Sequence, residues 1–303
     1  MADQNQQQLL IAVDVDGTLL DTEFDDILRP REIAAMEAVR AAGHVLALCT
    51  GRNLNSTRGL LENSGWNPAD LPMVLLNGAV VWGDSPRRKL SSKELTGDQV
   101  RRLVGLFHDY DVVPMVYGSD DDGGVLHHET RPLNDILGRY LAKRRDSVGA
   151  VNVVPDLQAT ELLRALEVGT IDRREPIMAL SAAITREMGD VVKVINTRSL
   201  IGGGEYYWAE VFDRTTDKGA GLRILAEFCE ISLSAAVAIG DNYNDLDMFA
   251  VAGWSVAMGG SPAEVLNSAD MVTGSAKSGG AAAVLEQIAA GGWPGTGLKG
   301  ESS

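Results

Sequence analysis

Leu9-Leu10-Ile11-Ala12-Val13-Asp14-Val15-Asp16-Gly17-Thr18-Leu19 begins with five apolar residues and stops abruptly at an acidic turn. A short apolar run of this kind, bounded by a polar turn, reads as a buried parallel strand that ends in a loop. The loop carries two carboxylates two positions apart, Asp14 and Asp16, and Gly17 lets the backbone bend sharply away. An acidic turn alone is as readily a helix cap as a site. Its meaning depends on what the rest of the chain brings to the same edge.

Working outward, Pro30 opens a helical stretch in which Ile33, Met36, Val39 and Arg40 follow helical spacing, and Gly43 closes it. His44 to Cys49 is a second strand run, ending in Thr50-Gly51-Arg52. A helix over Leu54–Ser64, a strand over Met73–Leu76 and the turn Asn77-Gly78 follow. This alternation predicts a parallel, right-handed, doubly wound α/β sheet of the Rossmann-like kind. It resumes late in the chain. Helices are expected over Gly219–Glu230, Leu246–Val251 and Ala281–Ala289, and strands over Ala235–Ile239 and Trp254–Met258. In such sheets ligands bind at the carboxyl ends of the strands.

The middle reads differently. Charged helical stretches, Thr96–Phe107 and Leu133–Arg145, mix with strand runs at Val112–Tyr117, Ala150–Val154, Ile177–Ile184 and Val191–Ile195. The expectation is a discontinuous core, 9–82 and 206–290, with an α+β module inserted at 83–205 and a loose tail at 291–303. The acidic loop Asp120-Asp121-Asp122-Gly123-Gly124 lacks the spaced downstream carboxylates of a calcium loop and reads as a solvated turn. His127 and His128 are read as residues of a solvent-exposed loop of the insert, with substrate reading as the alternative, and Trp82 is read as packing.

A formal charge of −15 argues against a nucleic-acid partner, which requires a basic face. It leaves room for an anionic substrate, because a metal and a few cations can reverse a local potential. Cys49 and Cys229 lie far apart beside apolar neighbours and are expected as free thiols. The polar start, Met1–Gln8, lacks a signal-peptide layout, and no apolar run is long enough for a membrane span. The expectation is a cytoplasmic protein without a membrane partner, its oligomeric state open.

Three further turns complement Asp14 and Asp16. Gly240-Asp241-Asn242-Tyr243-Asn244-Asp245 supplies hard oxygen donors suited to Mg²⁺, although Asp241 or Asn242 could equally cap the following helix. Thr50 offers a hydroxyl, with neighbouring amides, for phosphate oxygens at a helix start. Lys218 heads an amphipathic helix, where a cation is disfavoured by roughly 0.3–1 kcal/mol, so a phosphoryl group is its expected partner.

These turns resemble the four motifs of the haloacid dehalogenase-like (HAD) superfamily: Asp14 to Leu19 the first, Thr50 the second, Lys218 the third, Gly240-Asp241 with Asn244-Asp245 the fourth. One helix and one strand fill the interval from Asp14 to Thr50, so no sizeable cap fits there. The long interval from Gly51 to Asp217, preceded by Asn77-Gly78-Ala79, is similar to the Cof-like, type IIB branch with its C2B cap. Sucrose-phosphate and mannosyl-phosphoglycerate phosphatases belong to that branch.

The resemblance implies a Mg²⁺-dependent phosphatase acting on small phosphorylated metabolites such as sugar phosphates. It implies Asp14 as nucleophile, forming an aspartyl-phosphate, and Asp16 as acid and base. Asp14, the Asp16 carbonyl and Asp241 would hold the metal; Thr50, Lys218 and Asn244 the phosphoryl oxygens. Gly51, Arg52, Asn77 and Asp245 would support them, with Asp245 orienting Lys218 or the metal's waters, and Arg52 either reaching substrate or forming a salt bridge. Two rivals stay open: a phosphomutase or phosphotransferase using the same intermediate, and a non-catalytic regulatory protein on this fold.

Overall fold

The computed structural model describes residues 7–21, 27–84, 88–119, 124–147, 150–160, 164–199 and 204–293. Strands β1 (Leu10–Val13), β2 (Val45–Cys49), β3 (Met73–Leu75), β4 (Val80–Asp84) and β5 (Arg88–Ser92) start the first sheet. The chain then builds a second sheet from β6 (Leu95–Thr96), β7 (Met115–Gly118), β8 (Val125–Glu129), β9 (Ala150–Val154), β10 (Arg164–Arg173), β11 (Val192–Arg198) and β12 (Tyr206–Asp213). It returns to the first with β13 (Ala236–Gly240), β14 (Trp254–Ala257) and β15 (Met271–Val272).

Among the described residues the first sheet runs β15-β14-β13-β1-β2-β3-β4-β5. β1 sits between β13 and β2, parallel to both, with Ala12 opposite Ala238 and Ala47. Every residue of Leu10–Val13 is fully buried, which a strand enclosed on both faces requires. The chain winds from β1 through β2 to β3 on one side and returns through β13 to β15 on the other. The switch point therefore lies between β1 and β13, where the crevice at the strand ends opens.

Helix α1 (Pro30–Ala41) begins with proline and buries Ala35, Met36 and Val39. Helix α2 (Leu54–Asn63) is capped by Asn53, whose side chain accepts from the Ser56 amide. The second sheet runs β11-β12-β10-β7-β8-β9, with β6 paired to β10. Behind it lie α3 (Gly97–Asp109) and α5 (Arg174–Met188), whose Val100, Leu103, Leu180 and Ile184 pack with Val116, Val168 and Val211. The opposite face meets α4 (Asp135–Ser147), through Leu137 and Leu141 against Ile171 and Trp208. After β12 come α6 (Lys218–Phe228), α7 (Leu246–Val251), α8 (Ala263–Ser268) and α9 (Gly280–Ala289). α6 is capped by the Asp217 carboxylate, which accepts from the Ala220 amide at 2.6 Å.

Four expectations need correction. Ile177–Ile184 is not a strand but the middle of α5; Ile177, Leu180, Ile184 and Met188 share one buried face at helical spacing, and a short apolar run does not reveal its period. The long strand β10, central to the second sheet, was not foreseen. The division at 82/83 and 205/206 departs from sheet membership, since β4 and β5 extend the first sheet to Ser92 and β12 keeps 206–213 in the second. β4 and β5 run antiparallel at the edge of an otherwise parallel sheet. His127 and His128 lie on β8 rather than in a loop, and His128 is buried. Cys49 and Cys229 are free. The expected turn at 120–123 and the tail from 294 fall outside the described residues.

Candidate active site

At the end of β1 the Asp14 amide donates to the Ile239 carbonyl of β13 at 2.9 Å, continuing the parallel ladder into the turn. That bond directs the Asp14 side chain into the switch-point crevice. Lys218 reaches the same place from the first turn of α6. Its Nζ donates to Asp14 Oδ1 and to Asp245 Oδ1, both at 2.6 Å, and the lysine is fully buried. This explains a cation at a helix start: two carboxylates outweigh an unfavourable dipole. Asp245 is itself fixed by the amides of Asp241 and Asn242, which donate to its Oδ2 at 2.8 and 2.9 Å.

Asp241 completes a cluster in which carboxylate oxygens of Asp14, Asp241 and Asp245 lie within 4.8 Å of one another. Burial pushes the Asp14 carboxyl up to about 7 despite the pull of Lys218. Burial, with Asp14 and Asp245 adjacent, holds Asp241 well above the ordinary carboxylate range. Three carboxylates facing one lysine leave negative charge uncompensated, the condition that a hard divalent cation relieves. The backbone makes room for this crowding at Gly17, in the left-handed region at φ +90, where any Cβ would overlap the Asp241 carboxylate. The donor set fits a cation held by Asp14 and Asp241.

Asp16 faces the cleft above Asp14. Arg52 grips it with a two-point fork, Nε to Oδ2 at 2.8 Å and Nη2 to Oδ1 at 2.6 Å. The salt bridge expected as one reading of Arg52 is present, and Arg52 also lines the cleft. Thr50 is buried at the end of β2, its hydroxyl accepting from the Arg52 amide at 3.1 Å. Asn77 adopts φ 52 in the turn after β3, a conformation asparagine tolerates. From there its Oδ1 accepts from Asn244 at 2.9 Å, and its Nδ2 donates to Glu210 of β12 at 3.2 Å. Asn77 thus ties the fourth turn to the second sheet.

The cleft between the sheets encloses about 690 Å³, its open mouth included. Asp14, Asp16, Gly51, Arg52, Asn242 and Asn244 line its floor, so the expected residues converge, with Thr50 and Lys218 buried beneath. Its roof was not anticipated. Tyr117, Tyr140, Arg144, Glu167, Thr197, Trp208 and Glu210 come from strands and a helix of the second sheet. The only signal for two of them was a single acid inside an apolar run, Leu166-Glu167-Val168 and Ala209-Glu210-Val211. Roof and floor are joined where Arg144 Nη1 donates to Ser56 Oγ of α2 at 2.6 Å. Lys193 of β11 also bridges Asp217 and Asp247 at 2.8 and 2.9 Å.

A family model described as haloacid dehalogenase-like hydrolase matches residues 11–285. The chain is 26% identical to pyridoxal phosphate phosphatase YbhA of Escherichia coli, covering 88% of this chain and 93% of that one. It is 28% identical to a phosphoglycolate phosphatase of Natronomonas pharaonis over 87% of this chain and 90% of the relative. Among solved structures it resembles a haloacid dehalogenase-like hydrolase from B. subtilis, with TM-score 0.75 at 19% identity, covering 93% and 100%. The HAD subclass IIB sugar phosphatase BT4131 gives TM-score 0.73 at 18% identity, covering 93% and 99%. No helix among the described residues is long and apolar enough to cross a membrane.

Proposed function

We propose that this chain, which belongs to the haloacid dehalogenase-like hydrolases, is a phosphoric monoester hydrolase of the Cof-like type IIB branch that cleaves small phosphorylated metabolites, sugar phosphates among them, through an aspartyl-phosphate on Asp14. The observation that carries this reading is the buried bridge of Lys218 between Asp14 and Asp245 directly beneath a cleft that Asp16 faces.

In this reading an Asp14 oxygen attacks phosphorus and the bond from phosphorus to the ester oxygen breaks. Asp16, held as a carboxylate by the Arg52 fork in the free protein, would take up a proton from solvent as substrate displaces that fork, give it to the departing oxygen and later take one from the water that attacks the phosphorus. That second attack breaks the bond to Asp14 and releases inorganic phosphate. Lys218 stays in place throughout, balancing Asp14 before attack and a phosphoryl oxygen afterwards. Thr50 and Asn244 would hold the remaining phosphoryl oxygens. A Mg²⁺ ion held by Asp14, Asp241 and the Asp16 carbonyl would neutralise charge on the transferring group. The substrates named for the relatives, pyridoxal phosphate and phosphoglycolate, define the test panel together with hexose phosphates.

The experiment is a phosphate-release screen of that panel with Mg²⁺ and with a chelator. Free phosphate should appear with Mg²⁺ and fall at least about a thousandfold in Asp14→Asn. Transfer to a second hydroxyl without free phosphate would overturn the hydrolytic reading, as would an Asp14→Asn variant of undiminished rate.

A further inference from the structure

The fourth turn carries a side chain that the chemistry at Asp14 does not use. Asn242 follows Asp241 and is only 7% exposed. Its Oδ1 accepts from the Tyr243 amide at 3.0 Å, which caps its own turn. The same oxygen accepts from the Arg198 amide at 3.3 Å, and Nδ2 donates to the Arg198 carbonyl at 2.9 Å. Arg198 is the last residue of β11, an edge strand of the second sheet, and pairs with Tyr207 of β12 on its inner side. An edge strand presents amides and carbonyls that need partners from outside the sheet. The Asn242 carboxamide, an acceptor and a donor side by side, takes both groups of Arg198 as a further strand would. A turn of the floor thus holds the end of a strand that belongs to the roof.

That strand end shapes the cleft. Thr197, the residue before Arg198, lines the cleft and donates to Glu210 of β12 at 3.3 Å. Glu210 accepts from Asn77, and Asn77 accepts from Asn244, back in the fourth turn. The contacts close a ring from Asn242 through β11 and β12 to Asn77 and Asn244. At the other end of β11, Lys193 rests on Asp217 and Asp247 through partly exposed ion pairs, which water and salt weaken. We propose, resting on the phosphatase reading above, that Asn242 is a positioning residue for the leaving group: by holding the end of β11 it fixes the wall of Thr197 and Glu210 over the floor. It acts on ester binding rather than on the phosphoryl group beneath.

Two variants separate this role from turn capping. Asn242→Ser keeps a capping oxygen at the start of the turn but is too short to span to Arg198, whereas Asn242→Ala loses both roles. With no ester present, both should speed amide exchange at Arg198 by about tenfold, the scale of lost hydrogen bonds at a local opening. Both should raise KM for para-nitrophenyl phosphate at least about fivefold, because the wall is in place for a smaller fraction of the time. kcat, and the inhibition constant of inorganic phosphate, which needs the floor alone, should stay within about twofold of wild type. Only Asn242→Ala should also melt lower. A wild-type KM in Asn242→Ser would reduce Asn242 to a turn cap and overturn the inference. Unchanged exchange, or phosphate inhibition weakened as much as ester binding, would overturn it too. If wild type releases phosphate from no ester of the panel, the phosphatase reading fails and takes the positioning role with it, even where exchange still reports the tether.

Discussion

Replacing Lys218 by methionine removes one cation from between two carboxylates and leaves the helix start sterically filled. In the native chain Nζ donates at 2.6 Å to Asp14 and at 2.6 Å to Asp245, with the lysine wholly enclosed. Removing one partner of a buried pair costs about 3–5 kcal/mol, because the remaining charge has neither water nor a counter-ion. For a chain of this size that corresponds to a fall in melting temperature of roughly 5–15 °C. The cost depends on pH in a defined direction. Asp14 titrates near about 7 in the folded protein, raised by burial and lowered by Lys218. Below that value Asp14 holds its proton and loses little when the lysine goes. Above it, the native pair is ionic and the variant must bury an unpaired carboxylate or keep a proton that the unfolded chain releases. The gap in melting temperature between wild type and Lys218→Met should therefore widen from pH 5.5 to pH 8.5. The assay is thermal melting in chelator, so that no divalent ion substitutes for the lost charge. Phosphate release with Mg²⁺ should also fall by at least about a hundredfold, the usual loss of one fixed charge on the reacting group. An equal gap at both pH values, or none, would refute the electrostatic account of Lys218.

Gly17→Ala puts a methyl group into the Asp241 carboxylate and forces alanine to φ +90. It should cost about 1–3 kcal/mol in a chelator melt and raise the half-saturating Mg²⁺ concentration at least about fivefold; unchanged Mg²⁺ dependence would detach Asp241 from the metal. Burial, reinforced by Glu210 and opposed by Arg144, raises the Glu167 carboxyl well above its ordinary range. The folded state then holds a proton that the unfolded chain has released, so this group's contribution to stability declines as pH rises above the unfolded value. Glu167→Gln lacks that decline, and its melting temperature should gain on wild type between pH 5 and pH 8; a constant difference would show that Glu167 is not desolvated.

The floor of the site was legible because each of its parts is local in sequence. Asp14 with Asp16, Thr50 with Arg52, and Asp241 with Asp245 each lie in one turn after one apolar run, and the alternation of strands and helices alone puts those turns at one edge. Lys218 was legible as an anomaly, a cation where the helix dipole disfavours it. The partners inside the site were less so. That Arg52 would grip Asp16, and that Asn77 would bridge Asn244 to Glu210, depend on side-chain directions set by packing. The misassigned Ile177–Ile184 shows the same limit in the fold. Its apolar residues suit either period, and only packing against β10 and β11 settles it as a helix.

The roof was illegible for a stronger reason: it is made by register. Tyr117, Glu167, Trp208, Glu210 and Thr197 lie on four strands, and they share a face because Glu167 pairs with Tyr117, Gly169 with Glu210, and Trp208 with Thr197. Strand side chains alternate with a period of two, so a slip of one residue in β10 would send Glu167 into the layer of α3 and α5 and bring Val168 to the cleft. What prevents the slip is the apolar set on the far face, Val116, Val168 and Val211 against Leu103 and Leu180. A residue in that hidden layer can thus move Glu167 without touching the cleft. Asp14, by contrast, is set by the parallel pairing of β1 with β13 and β2, which the second sheet does not enter. The two registers are independent, so roof substitutions can reshape the upper wall of the cleft while the floor keeps the placement of Asp14.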